Sequence, residues 1–166
     1  MFELKKLSLE AVDRSLEKAM RYRLLDEPEE AESICLDILA IAPDNQNAIV
    51  TLLLSLTDQF SHGATDSVRR AQELLQRFAG EYERAYYAGI IFERQANARL
   101  SGRTSGAEAV AFSLYRQAME HYEKAEALSP QGNEDALLRW NTCARQIMRQ
   151  KLTPSAEEVH EPLMLE

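Results

Sequence analysis

Two stretches far apart in the chain share one frame: Ala118-x3-Tyr122-x2-Ala125-x4-Pro130 and Ala31-x3-Cys35-x2-Ile38-x4-Pro43. In both, small or apolar side chains return at steps of four and three, so they line one face of a helix, and a proline ends it. A weaker copy, Ala71-x3-Leu75-x2-Phe78, keeps the register without the proline. A second spacing precedes each of these. It is a small residue followed three places later by an aromatic, as Ala19 and Tyr22, then Gly89 and Phe92, with a degenerate Leu53 and Leu56 between. Small residues let two antiparallel helices approach closely, an aromatic fills the gap beside them, and proline releases the chain so that the next pair can stack.

Nothing in the chain competes with helix. With 6 Gly and 5 Pro in 166 residues and no alternating run rich in Val, Ile or Thr, the fold class is all-α. The periodicity predicts seven helices: about 8–25, Pro28 to just before Pro43, Ala48 to Leu56 after an Asn cap, a fourth from about Val68 to Gly80, Glu81 to about Leu100, Ala107 to Leu128, and Ala136 to about Gln150. The third is apolar almost all round and should be buried. Residues 61–67 and 101–106 read as loops, with Asp66 placed to cap the fourth helix. Residues 1–150 then form one helical domain, and 151–166 an acidic C-terminal tail.

The paired frames resemble the tetratricopeptide repeat family, over about residues 9–150. In that family a small residue and an aromatic on a first helix meet a second helix carrying alanines, an aromatic and a closing proline. The alanines Ala31, Ala71 and Ala118 are spaced by 40 and 47 residues, against about 34 for the family. Such periods also suit HEAT-type repeats, but the proline-ended second helix and its alanine register favour the tetratricopeptide reading. The resemblance implies an α-α superhelix of three antiparallel pairs with a C-terminal capping helix. It also implies a concave face, made by the first helix of each pair, that binds a peptide or helix. By register that face carries Met20 and Arg23, Leu54 and Asp58, and Tyr87, Ile90, Arg94 and Asn97. Aromatic and arginine side chains together suit an acidic or extended peptide through stacking and charge-assisted hydrogen bonds. The lysine and asparagine clamp with which some members hold acidic chaperone C-termini is missing: those positions hold Leu16, Met20, Thr51, Glu83 and Tyr87.

Charge and composition narrow the partners. The net charge of −8 argues against nucleic acid, which demands a basic surface. The charge is uneven: residues 1–66 hold 6 basic and 13 acidic side chains, 67–150 hold 12 and 10, and 151–166 hold 1 and 4. No window approaches the roughly 18 to 20 apolar residues of a membrane span, so a soluble, cytoplasmic protein is expected. Cys35 and Cys143 sit among apolar neighbours at helical spacing and read as small buried residues rather than as a disulfide or a metal site.

No catalytic constellation is legible. His62 falls in a loop, His160 in the tail, and His121 lies between Glu120 and Glu123 on what reads as a surface face. Patterns such as HExxH, GxSxG or a phosphate-binding glycine loop are missing from the sequence. The expectation is a non-catalytic adaptor or scaffold with no cofactor or metal, binding a protein or peptide, with homo-oligomerisation as one form that binding can take. A dedicated chaperone for one client is the alternative reading. A third is an enzyme or small-ligand sensor using a pocket between the long fifth and sixth helices. The end of the chain, AEEVHEPLMLE, joins acids to an apolar Leu-Met-Leu; residues 155–166 read either as a solubilising disordered end or as a segment that docks on its own or a neighbouring molecule's helices.

Overall fold

A computed structural model describes residues 1–63 and 65–155; among these the regular structure is entirely helical. The chain divides at Gly80 into two compact units, Met1–Gly80 and Glu81–Glu166, a boundary that falls inside what the sequence reads as one domain. Among the described residues no helix is long and apolar enough to cross a membrane.

The first unit holds α1 (Val12–Leu24), α2 (Pro28–Ile41), α3 (Gln46–Asp58) and α4 (Thr65–Leu74). Pro28 occupies the first position of α2, where its missing N–H costs nothing and its fixed φ suits the helix. Asn45 caps α3, its side-chain oxygen accepting from the Ala48 N–H at 2.9 Å. The apolar run in α3 is buried on nearly every side, and Leu53 and Leu56 pack in one core with Ala31, Cys35 and Ile38 of α2. Each of the leucines and the isoleucine contributes about 1.5 to 3 kcal/mol by leaving water. The core is therefore made by the two faces that the repeated frame singles out.

Two local expectations are corrected here. Asp66 does not cap α4, which begins one residue earlier at Thr65; Asp66 lies in its first turn and pairs instead with Arg69 at 2.6 Å. Phe78 is not on the fourth helix either. After Leu74 the chain tightens into a 3-10 turn, Leu75–Arg77, so Phe78 follows in extended backbone (ψ 131) and is buried from there. A 3-10 turn winds three residues per turn instead of 3.6, which rotates the side chains out of the frame set by Ala71.

The second unit is α5 (Glu81–Gly102), α6 (Ala107–Leu128) and α7 (Asp135–Gln150). Helices α5 and α6, 22 residues each, turn on Gly106, whose φ of 76° suits a residue without a Cβ. They run antiparallel: Gly89 meets Tyr122, while Asn97, two turns further along α5, meets Tyr115, two turns earlier on α6. The approach is close at Gly89. A Cβ built there falls 2.5 Å from the Tyr122 ring, so only glycine admits the ring in this position. Ala118, Tyr122 and Ala125 are all fully buried, so the face described by the frame is the packing face.

Candidate functional site

Chemically distinctive side chains concentrate on α5. Tyr82, Tyr86 and Tyr87 share its first two turns. Tyr82 and Tyr86 are one helical turn apart and their rings stack with centroids 5.7 Å apart; Tyr86 meets the Tyr87 ring edge-on at 5.1 Å and the Tyr122 ring at 5.9 Å. All three tyrosines of α5 are partly exposed, whereas Tyr122 behind them is buried. The result is a half-open aromatic platform with one ring sunk into the core.

The platform is held from below by a buried carboxylate. Glu93 is 3% exposed; its Oε2 accepts from the Tyr122 hydroxyl at 2.6 Å and its Oε1 from Arg139 Nη1, on α7, at 3.1 Å. A carboxylate at this depth needs both partners, because an unpaired buried charge is strongly destabilising. On its outer side the cluster closes on the turn before α7: Asn133 Nδ2 donates to the Tyr82 hydroxyl at 3.2 Å. Burial raises the phenol of Tyr82, and it pushes Tyr87 up to about 12, with the adjoining phenols Tyr86 and Tyr82 adding to it. Tyr122 goes up further for the same first reason, reinforced by Glu93. These hydroxyls remain protonated donors across the physiological range, suited to hydrogen bonding and stacking rather than to proton transfer.

The eight residues that register places on the concave face separate into three groups. Met20, 53% exposed on α1, and half-buried Leu54 on α3 present apolar surface. Arg23 and Asp58 face each other, with Nε donating to Oδ2 at 2.8 Å, so they satisfy one another. Within α5, Tyr87 and Arg94 are half-buried, but Ile90 is 1% exposed and belongs to the core, and Asn97 accepts from the Tyr115 hydroxyl at 2.6 Å. Ile90 is therefore a core residue, while Asn97 keeps part of its surface open and ties α5 to α6. Register alone misses Tyr82, Tyr86, Glu93 and Arg139. The spacing of Tyr82 and Tyr86 is a usable signal, since two aromatics one turn apart on a helix form a pair.

His121 is a further correction. It is not on a free surface face: its ring stacks on Phe92 with centroids 5.3 Å apart and planes 10° from parallel. Burial lowers its pKa, with Lys124 adding to this and Glu120 opposing it. Among the described residues no group of three His, Cys, Asp or Glu is placed to hold a metal ion. Both thiols are free and buried, and burial pushes Cys35 up to about 12, far from a reactive thiolate. The two readings of the tail, docked or solubilising, fall on residues of which 156–166 lie outside the described ones.

The chain matches no family model, no curated protein and no solved structure.

Proposed function

We propose that this chain is a non-catalytic binding module of tetratricopeptide type, gripping a peptide or helix of a protein partner with the half-open face of its first helices. The observation that carries the reading is the order of the polar links. In the first unit α1 joins α3 through Arg23 and Asp58, 35 residues apart, and α2 joins α4 through Glu32 and Arg70, 38 residues apart. In the second, α5 joins α7 through Glu93 and Arg139, 46 residues apart. First helix to next first helix, and second to next second, is the connectivity by which helix pairs stack into a solenoid. The close approach of Gly89 to Tyr122 supports the same reading, being the contact that the repeated frame implies.

In this reading the working surface of the second unit is the platform of Tyr82, Tyr86 and Tyr87, with Arg94 about two turns beyond. Tyrosines supply large contact area with only two rotatable side-chain bonds, and an arginine adds carboxylate recognition. The test is affinity capture with the wild-type chain and with the double variant Tyr87→Ala/Arg94→Ala, each checked for unchanged helicity by circular dichroism. The expected result is loss of at least one captured protein, and restoration of binding when Tyr87 is replaced by Phe. Identical partner lists for a folded double variant defeat the assignment of the face.

A further inference from the structure

The outer face of α7 combines exposed apolar side chains with cations. Leu138, Thr142, Arg145 and Arg149 recur at helical spacing on the side turned away from buried Ala136 and Cys143, with Met148 beside them. Leu138 is 58% and Met148 68% exposed. Among the described residues, Thr142, Arg145, Gln146, Met148 and Arg149 line a shallow groove with two cations and no carboxylate. The last helix of a helical stack normally turns a polar face outward, so two large apolar side chains flanking two arginines form a surface suited to a cover.

The course of the chain indicates where a cover comes from. At the end of α7 Lys151 takes the left-handed conformation (φ 53), and the Leu152 N–H returns to the Ile147 carbonyl at 3.0 Å. This is a Schellman end, and it anchors Leu152 in the core at the flank of the helix. Thr153 and Pro154 then lie against the start of α6. Eleven residues follow Ser155, with the sequence AEEVHEPLMLE. Ten residues of extended chain reach about 33 Å, whereas the face from Arg149 back to Leu138 spans about 16 Å at the helical rise.

We infer that residues 156–166 dock on this face of their own chain, running back along α7, with Glu157, Glu158 and Glu161 facing Arg149 and Arg145 on either side of Met148, and Leu163, Met164 and Leu165 covering Leu138. Charge decides the occupant. The segment carries four glutamates and no lysine or arginine, while a second copy brought up on the same face sets Arg145 and Arg149 against arginines of like charge. Tethering favours the same choice, because a short linker holds the segment at an effective concentration of about millimolar without any new contact.

A nitroxide on Met164→Cys tests this in the full chain, since Cys35 and Cys143 are fully buried and stay unlabelled. The expected result is strong paramagnetic loss of the amide signals from Leu138 to Arg149. That loss persists on dilution, weakens in about 1 M salt, where the screening length falls to about 3 Å, and disappears in Arg145→Glu/Arg149→Glu. Both arginines are exposed, so the charge reversal leaves the core of the unit untouched, and the salt titration reads the same contact on the unsubstituted face. Undisturbed α7 signals overturn the inference. So does loss seen only when isotope-labelled untagged chain is mixed with tagged chain, which makes the occupant a second copy.

Discussion

The two units solve one packing problem with different chemistry. In the frame they share, Cys35 on α2 and Tyr122 on α6 hold the same position, four residues after a buried alanine. The first unit buries Cys35 along with aliphatic side chains, Ile38, Leu53 and Leu56, and its two links, Arg23 with Asp58 and Glu32 with Arg70, stay nearer the rim, where all four keep part of their surface in water. Tyr122 brings a hydroxyl to the same depth. There Glu93 accepts its hydrogen bond, and Arg139 reaches across from α7 to donate to the same carboxylate. A phenol in place of a thiol thus carries the polar links of the second unit into its core, where one carboxylate ties three helices, and leaves the neighbouring tyrosines of α5 as a platform at its mouth.

Substitutions at the two matched positions should separate the units most clearly. Tyr122→Ala removes a fully buried ring and leaves a Glu93 oxygen without a donor, at a cost of about 4 kcal/mol. Cys35→Ala removes one buried atom with no polar partner to strand, at about 1 kcal/mol, close to the loss of a methyl group. Urea unfolding of the two variants measures both; equal losses mean that the network does not distinguish the units. Next in size is the pair Arg139→Met and Arg23→Met. The first takes the cation from a carboxylate that is 4% exposed at the side chain, leaving it the Tyr122 hydroxyl alone, and costs about 3 kcal/mol, whereas the second breaks a pair near the surface and costs under about 1 kcal/mol.

Helices and their packing faces are legible in the sequence because they depend on local periodicity. Five of the seven helices start within two residues of the expected position, and the fourth starts three residues early. The first differs more, because the chain enters it through a 3-10 turn, Leu9–Ala11, before α1 begins at Val12. The frame of alanines, glycine and tyrosine leads directly to the Gly89 and Tyr122 contact. The network is not legible in the same way. Glu93 has charged or polar neighbours at Arg94 and Gln95, and a lone carboxylate in a helix reads as a solvated one. Its partners stand 29 and 46 residues away, and only tertiary packing brings them together. The same limit applies to Ile90 and Asn97. Both lie on the face that carries Tyr87 in a helical projection, yet the long contact of α5 with α6 buries Ile90 and engages Asn97 through Tyr115. Register identifies a face, but the width of the neighbouring helix decides how much of it stays open.

Gly89→Ala probes the tyrosine-based seam at finer scale. Alanine is the better helix former by about 1 kcal/mol, so the substitution stabilises the protein if the Tyr122 ring can retreat. The ring is fully buried and its hydroxyl is tied to Glu93, so it has nowhere to go, and the expected outcome is a net loss of about 2 kcal/mol in urea unfolding. Combining the change with Tyr122→Phe frees the ring from Glu93 and should recover part of the steric loss, giving a coupling that a double-mutant cycle reads directly.

A weaker effect is expected at His121, the titrating group stacked on Phe92 at the edge of the same seam. Burial lowers its pKa in the folded chain below 6.5, and Lys124 adds to this while Glu120 opposes it. In the unfolded chain the imidazole takes up a proton as pH falls through about 6.5, but the folded chain resists, so the unfolded state binds more protons. Its contribution to stability is therefore present above that pH and is lost as pH falls. The melting temperature should drop between pH 7 and pH 5 by more in the wild type than in His121→Gln, which keeps a flat amide over Phe92 without the titration. Because the ring is half exposed the difference is modest, and an identical acid slope in both chains places the pH response outside this seam.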